Sequence, residues 1–246
     1  MQTRPTSTRS PADAAAQTST SASNYTPPPG RIPGNLRPNV ERALPRGRYR
    51  RDLSPQDRSE RQRLQLLTAA AQVFAAKGFA DTAVEDVVKA AGMSRATFYI
   101  HFQDKDELLG ELYDTGASAT IRSIRQAAAA VPKNEPLKRL EKAFDTYLFM
   151  LTNGGDVARV IVNEVAAGGP KMLERRDRVH QEFIKMFREL AAKVYPGHTP
   201  SDMTLLAVVS GVEGLVFNYL WRGEARRLDS EGRAVIFRFM LNALRP

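Results

Sequence analysis

The chain has 246 residues, of which 42% are apolar and 8% aromatic, so there is enough apolar material for a buried core and a wholly disordered protein is excluded. It contains no cysteine, which excludes disulfides, zinc–thiolate sites and thiol catalysis. The 36 Lys and Arg against 27 Asp and Glu give a net charge of +9, which favours a polyanionic partner. The longest uninterrupted apolar runs, such as 204–209, are far shorter than a bilayer span, so we expect no membrane partner.

The N-terminal quarter differs in composition from the rest. Residues 1–57 carry nine Arg, no Lys, four acidic residues and nine of the 15 prolines. Such a segment cannot bury enough apolar surface to offset the entropy of ordering it, so the sequence predicts a disordered basic arm over 1–53. It has neither the apolar segment of a secretory signal nor the amphipathic helix of a transit peptide. The arm is either a solvated tail or a phosphate contact made by Arg46, Arg48, Arg50 and Arg51.

From residue 54 onward, apolar residues recur at helical spacing and no alternating run indicates a strand. Ser54, followed by Pro55 and by Asp57 three residues after the cap, marks the start of the first helix, which ends at Gly78. Its predicted inward stripe consists of Leu64, Leu67, Ala71 and Phe74. Caps are predicted for the second, third and fourth helices at Thr82, Ser94 and Asp104.

Proline and glycine divide the rest of the chain into further helices. The fourth helix stops before Pro132, and a fifth runs from Pro136 to Asn153. The remaining predicted helices cover 157–167, 171–194, 202–222 with Ser201 as its cap, and 230–244. The predicted fold class is therefore all-α, with about nine helices.

The second and third helices, separated by Ala91, Gly92 and Met93, match a helix-turn-helix, whose second helix enters the major groove of DNA. The surrounding residues make this match specific. They are Leu66, Leu67, Thr68, Ala69, Ala70, Phe74, Gly78, Phe79, Thr82, Val87, the run 90–102, and the run 105–109. Together they closely resemble the N-terminal domain of TetR-family transcriptional repressors. Ala96, Phe98 and Ile100 depart from the family pattern, and Ala96 and Ile100 leave the base preference open. The predicted division is an arm over 1–53, a DNA-binding domain over 54–103, and a helical ligand-binding and dimerisation domain over 104–246.

Several residues of this segment are candidates for contacts with double-stranded DNA. Helix starts favour a phosphate, and the first turn of the third helix reaches base edges, where Arg can read guanine. The resemblance implies phosphate contacts further along the chain, at Tyr99, His101 and Lys105. The candidates are Thr82, Ser94, Arg95, Ala96, Thr97, Tyr99, His101 and Lys105. Each of them has a plain alternative as a cap or packing residue. Residues 58–109 hold seven basic and seven acidic residues, so binding would depend on placed contacts rather than on bulk charge.

In the family, the C-terminal helices bind a small ligand and form a homodimer. The segment 202–222 looks like the family's penultimate helix, and Ser210, Gly211 and Gly214 would allow it to approach a symmetry mate closely. The last helix would join it in a four-helix interface. Candidates to line a ligand cavity are Phe144, Tyr147, Met150, Leu151, Ile161, Phe183, Met186, Phe187, Phe217 and Trp221, with Asn163, Glu164 and His180 as polar groups that orient the ligand. Most of these residues could equally be plain core.

Motifs for catalysis are absent from the sequence. The three histidines lack metal-ligand spacing, and neither HExxH, a phosphate-binding loop nor a Gly-x-Ser-x-Gly motif occurs, so we expect no enzyme, no metal and no cofactor. The sequence predicts a cytoplasmic, nucleoid-associated repressor of bacterial type, released from a palindromic operator by a small apolar or amphipathic effector. The alternative is a helical dimer that coats chromosomes or binds proteins through its basic arm.

Overall fold

The computed structural model describes residues 54–163, 168–224, 227–228 and 232–246, apart from the side chain of Trp221. Within these ranges the chain forms nine helices and no strand, which confirms the predicted fold class. The predicted arm over 1–53 lies outside the described residues. The helices are α1 (Pro55–Lys77), α2 (Val84–Ala91), α3 (Arg95–His101), α4 (Lys105–Ala129), α5 (Pro136–Asn153), α6 (Gly155–Asn163), α7 (Gly169–Val194), α8 (Asp202–Trp221) and α9 (Arg233–Leu244).

Most of the predicted helix starts are correct because capping is a local interaction. The Ser54 hydroxyl accepts a hydrogen bond from the Asp57 amide at 3.1 Å, and the Asp57 carboxylate accepts one from the Ser54 amide at 3.3 Å. Ser94, Asp104 and Ser201 likewise accept a hydrogen bond from the amide three residues further on. These bonds satisfy N–H groups that the first turn of a helix leaves without a partner.

The predicted cap at Thr82 is wrong. Ala83 holds the cap position of α2, and its amide donates to the Asp86 carboxylate at 2.9 Å. The Thr82 side chain is buried, and its hydroxyl donates instead to the carbonyl oxygen of Gly78 at 2.6 Å. This hydrogen bond connects the end of α1 to the residue before the cap of α2. The pattern of helix starts in the sequence does not predict it.

Three other helices differ from their predicted limits. Helix α6 begins two residues early, at Gly155, and the predicted residues 164–167 lie outside the described ranges. Helix α7 begins at Gly169, where φ is +69°, a value that favours glycine. Helix α9 begins at Arg233, after the undescribed residues 229–231.

The buried apolar residues form two clusters. The N-terminal cluster joins α1, α2 and α3 to the first half of α4, with Leu66, Phe74 and Phe98 fully buried. The C-terminal cluster joins the second half of α4 to α5, α7, α8 and α9. Helix α4 therefore contributes to both cores, and the division at residue 103/104 stays a prediction. Leu64 is predicted to face inward, but it is 53% exposed. Leu66, two residues later, is fully buried instead.

Helix α8 has an unusual composition. Over Asp202–Leu220 it is long and apolar enough to cross a bilayer by length and composition alone, which the count of uninterrupted apolar runs missed. Leu205, Val209 and Val216 pack into the C-terminal cluster. The opposite face is exposed, however, and only 28% of this segment is buried within the chain.

Candidate DNA interface and ligand cavity

The turn between α2 and α3 is built around Gly92. Its φ and ψ of 64° and 35° lie in the left-handed region, and its amide donates to the Lys89 carbonyl at 3.2 Å. The next amide, of Met93, donates to the Val88 carbonyl at 2.9 Å. Phe98 anchors α3 from below, because its side chain is completely buried in the N-terminal cluster. The solvent face of α3 therefore presents the remaining side chains of the helix to a partner.

Arg95 lies on that solvent face and already has partners inside the protein. Its guanidinium forms an ion pair with the carboxylate of Glu85 on α2. It also donates to the Tyr99 hydroxyl at 3.3 Å, and its central carbon lies 5.8 Å from the centre of the Tyr99 ring. Arg95 and Tyr99 thus form one exposed unit whose direction is set in part by Glu85.

Ser94, Ala96 and Thr97 surround Arg95 at the start of α3. The hydroxyl groups of Ser94 and Thr97 lie 2.9 Å apart, while the Thr97 amide donates to the Ser94 hydroxyl. Ala96 is exposed and adds no polar group. The helix start therefore offers hydroxyl groups and amides to an approaching phosphate, while Arg95 can reach a base edge.

Lys105 has a structural role that the sequence did not reveal. Its ammonium group donates to the carbonyl oxygens of Phe79, Ala80 and Thr82 at 2.9, 3.2 and 3.0 Å. An ammonium group has three donors, so all of them are used within the protein. A DNA phosphate can only replace or share one of these bonds. Thr82 is buried in the same loop, so its side chain is not presented to a phosphate.

His101, at the end of α3, lies 3.3 Å from the side-chain oxygen of Gln62 on α1 through Nε2. Burial, together with the neighbouring charge of Arg63, lowers the pKa of His101 below its ordinary value of about 6.5. The imidazole is therefore mostly neutral at pH 7. The one N–H of the neutral ring, at Nε2, donates to the Gln62 oxygen, so a hydrogen bond from His101 to DNA has to replace this contact. The ring does not contribute a full positive charge.

Two residues of this surface were absent from the predicted set. Ile100 is a large apolar side chain that is 76% exposed on α3, where it has the position to contact a thymine methyl or a sugar. Glu85 lies on the preceding helix and pairs with Arg95. The sequence did mark Ile100 as unusual, but the Glu85 contact depends on how α2 crosses α3.

A cavity of about 170 Å³ lies in the C-terminal part of the chain, among α4, α5, α6, α7 and α8. Five of the predicted residues line it: Tyr147, Met150, Leu151, Ile161 and Phe183. The wall also contains Tyr113, Gly116 and Glu213, which the prediction had not assigned to it. Gly116 lies close to α6, because a Cβ at this position would lie 2.5 Å from Ile161 Cδ1 and would force that side chain to move.

The polar groups of this cavity meet at Glu213. One carboxylate oxygen accepts a hydrogen bond from the Tyr147 hydroxyl at 3.2 Å, and the other lies 3.0 Å from His180 Nε2. Tyr147 and His180 are almost completely buried. Burial, with the nearby Glu213 charge as the next cause, raises the pKa of Tyr147, so its hydroxyl stays protonated and remains a donor.

The other predicted cavity residues lie elsewhere. Phe144 packs against Phe237 with ring centres 5.5 Å apart, and Met186 and Phe187 are buried in the C-terminal cluster. Phe217 is 37% exposed on α8 and is not among the residues that line this cavity. Asn163 does not line it either, and its buried side-chain oxygen has no hydrogen-bond partner among the described residues. Glu164 and the Trp221 side chain lie outside the described part of the chain.

An all-α chain with a helix-turn-helix whose second helix presents Arg95 to solvent belongs to the class of helix-turn-helix DNA-binding proteins. The sequence model of the bacterial regulatory proteins of the tetR family matches residues 66–112. The chain is 30% identical over 144 residues to the HTH-type transcriptional regulator YfiR of Bacillus subtilis, a match that covers 56% of this chain and 67% of YfiR. This protein belongs to the TetR family of DNA-binding transcriptional regulators, and it is not an enzyme.

Solved structures of the same fold agree with this assignment. The fatty acid degradation regulator FadR from Bacillus halodurans superimposes with a TM-score of 0.63 at 18% identity, covering 72% of this chain and 94% of FadR. AibR, solved in complex with isovaleryl coenzyme A and operator DNA, superimposes with a TM-score of 0.53 at 18% identity, covering 65% of this chain and 86% of AibR. At this level of identity the likeness shows the shared fold.

Proposed function

We propose that this protein is a homodimeric repressor that binds an imperfect palindromic operator in the cytoplasm and is released by a small apolar or amphipathic effector. The observation that carries the proposal is the exposed unit of Arg95 and Tyr99 on α3, fixed above the buried Phe98. Side chains at the start of a recognition helix are the ones that read base edges. Arg95, Thr97 and Ile100 are assigned to the bases, and Ser94, Tyr99 and His101 to the phosphate backbone.

The exposed faces of α8 and α9 support the dimer. Gly211 and Gly214 face open space within the described part of the chain, where no atom lies within 4 Å of a Cβ built at either position. Leu215 on α8, and Val235 and Phe239 on α9, are large apolar side chains that remain exposed. Exposed apolar side chains next to small residues suit close packing of a second copy of the chain. We therefore assign the apolar outer face of α8 to a protein partner rather than to a lipid bilayer.

The cavity around Glu213 supports control by a ligand. Its wall includes Glu213 from α8, which bears part of the proposed dimer face, and residues of α4, which continues from the N-terminal core into the C-terminal core. A ligand that binds one arrangement of α4 more tightly shifts the equilibrium between arrangements by its difference in affinity. The structure of AibR with a small molecule and operator DNA is a precedent within this fold.

The function is tested by mapping the DNA bound by the full-length protein across the genome and footprinting the strongest sites. We expect a two-fold site whose half-sites are separated by about one helical turn, roughly 34–36 Å, because two recognition helices in a dimer dock one turn apart. A single asymmetric half-site would contradict the dimeric mode of binding. Equal affinity for the mapped site and random DNA would instead favour a chromosome-coating protein.

A further inference from the structure

Among the described residues that line the cavity assigned to an effector, one is charged. That residue is Glu213, and the side chains around it include Ala117, Leu151, Ile161 and Phe183. The volume of about 170 Å³ is close to that of an engineered protein cavity of about 150 Å³ that binds benzene. The space therefore fits an apolar body about the size of one aromatic ring.

The carboxylate of Glu213 is held in a fixed direction. Tyr147 from α5 binds one of its oxygens and His180 from α7 lies against the other. An ionised carboxylate has about four acceptor sites, and these two contacts use only two of them. Acceptor capacity therefore remains at a carboxylate that also lines the cavity.

Two further ionisable side chains lie close to the cavity, His180 beside the Glu213 carboxylate and Arg176 near Tyr113. Neither is among the described residues that line the cavity. Burial raises the pKa of Tyr113 on the cavity wall, and the negative charge of Glu213 adds to that rise. An anionic group of a ligand in the cavity would meet the Glu213 carboxylate, and like charges repel.

Resting on the ligand cavity of the proposed function, we infer that this site selects ligands in which a ring-sized apolar body carries a cationic, hydrogen-bond-donating head group such as a protonated amine. Glu213 is the acceptor for that head group. Tyr147 and His180 are positioning residues, because they act by holding the Glu213 carboxylate. The inference concerns the chemistry of the head group, which the presence of a cavity alone does not determine.

The test uses three probes that differ only in their head group: benzylamine, benzyl alcohol and benzoate. Isothermal titration of the full-length protein at pH 7 should give binding in the order benzylamine, benzyl alcohol, benzoate. The ratio between benzylamine and benzoate should be at least about tenfold, since hydrogen bonds to charged groups contribute roughly 1.5–3 kcal/mol. In Glu213→Gln, which keeps the shape and the hydrogen-bonding capacity of the side chain, this ratio should fall by about tenfold or more.

Two further variants distinguish the effect of the Glu213 charge from the effect of a misfolded protein. Glu174→Gln removes an exposed carboxylate on the neighbouring helix α7 and should leave the ratio unchanged. Tyr147→Phe keeps the Glu213 charge but removes one contact that holds the carboxylate, so it should reduce the preference for benzylamine without reversing it. This variant maintains a test even where Glu213→Gln does not fold. Equal or tighter binding of benzoate, an unchanged ratio in a folded Glu213→Gln, or no binding of any probe at millimolar concentration would overturn the inference. Binding without release of operator DNA would count against ligand control of the repressor and not against this assignment of Glu213.

Discussion

In the DNA complex proposed above, Arg95 exchanges its Glu85 partner for a base edge. In the free chain its guanidinium is paired with Glu85, and this carboxylate lies beside the surface that would face phosphates. Arg95→Ala should weaken binding to the operator by roughly tenfold or more and relax the preference at one base position, because a bidentate contact with guanine is lost. Glu85→Gln should instead strengthen binding severalfold, since it frees Arg95 and removes a repulsive charge. Fluorescence anisotropy with labelled operator and random duplexes measures both effects.

The double variant Glu85→Gln, Arg95→Ala tests whether Glu85 acts through Arg95. If it does, Glu85→Gln has a much smaller effect in the Arg95→Ala background, because residues that share one contact are not additive. Equal effects in both backgrounds would mean that Glu85 acts only through general repulsion of phosphate. Glu174→Gln, far along the chain on α7, serves as the control for a simple change in net charge.

Lys105 has two possible roles, a contact with a DNA phosphate and a structural contact within the protein. The resemblance to the family predicts that Lys105 contacts a phosphate, and the loss of such a contact would weaken binding to all DNA alike and flatten its salt dependence. The structure shows its ammonium group bound to three backbone carbonyls in the loop before α2. We therefore expect Lys105→Ala to lower the free energy of unfolding by about 1–3 kcal/mol, because these carbonyls lose a charged donor.

Denaturant unfolding and a salt titration of DNA binding give independent measurements for this variant. A loss of stability with an unchanged salt slope indicates a structural role alone. A flattened slope with unchanged stability would contradict the role that the three hydrogen bonds imply.

At the scale of helices, two glycines in apparently similar positions are expected to behave in opposite ways. Gly116 on α4 faces α6, and an added Cβ would lie 2.5 Å and 2.9 Å from side-chain atoms of Ile161 and Val157. Gly116→Ala should destabilise the fold by about 1–3 kcal/mol through overpacking. Gly211 on α8 meets open space, so Gly211→Ala should favour the helix of the single chain by up to about 1 kcal/mol.

The same substitution at Gly211 should weaken the dimer, because the methyl group enters the face assigned to the second copy. Sedimentation at several protein concentrations measures the dissociation constant, and thermal unfolding of the same samples measures stability. A dimer that is unaffected by Gly211→Ala and by Gly214→Ala would place the interface on another surface.

At the scale of the whole molecule, the charge of the arm raises a separate question. Residues 1–57 contribute +5 of the net +9, whereas residues 58–109 are neutral. Removal of residues 1–53 should therefore weaken binding to all DNA sequences by a similar factor. It should also reduce the salt slope, because a protein that makes fewer phosphate contacts releases fewer counterions from the DNA. Salt titrations of the full-length and truncated proteins on operator and random DNA measure this effect. An unchanged slope would identify a solvated tail, and a changed base preference at the flanks would place the arm in the minor groove.

Local signals explain most of what could be predicted. The caps at Ser54, Ser94, Asp104 and Ser201 were correct because a cap depends on residues three positions apart. Leu67, Ala71 and Phe74 were correctly expected to face inward because helical spacing sets their common face. Thr82 and Leu64 were wrong because the contacts of neighbouring helices, rather than the pattern within one helix, decided their surroundings.

The sequence by itself determined the all-α class, the helix-turn-helix and its TetR-family character, since these depend on periodicity, turns and a contiguous run of residues. The tertiary structure alone decided which side chains meet. It joined Tyr147, His180 and Glu213, which are separated by 33 and 33 residues in the chain, and it paired Arg95 with Glu85. It also occupied Lys105 with backbone carbonyls and left Gly211 facing open space. The physical reason is that helix formation depends on interactions within a few residues, whereas these contacts depend on the angles and distances at which whole helices pack.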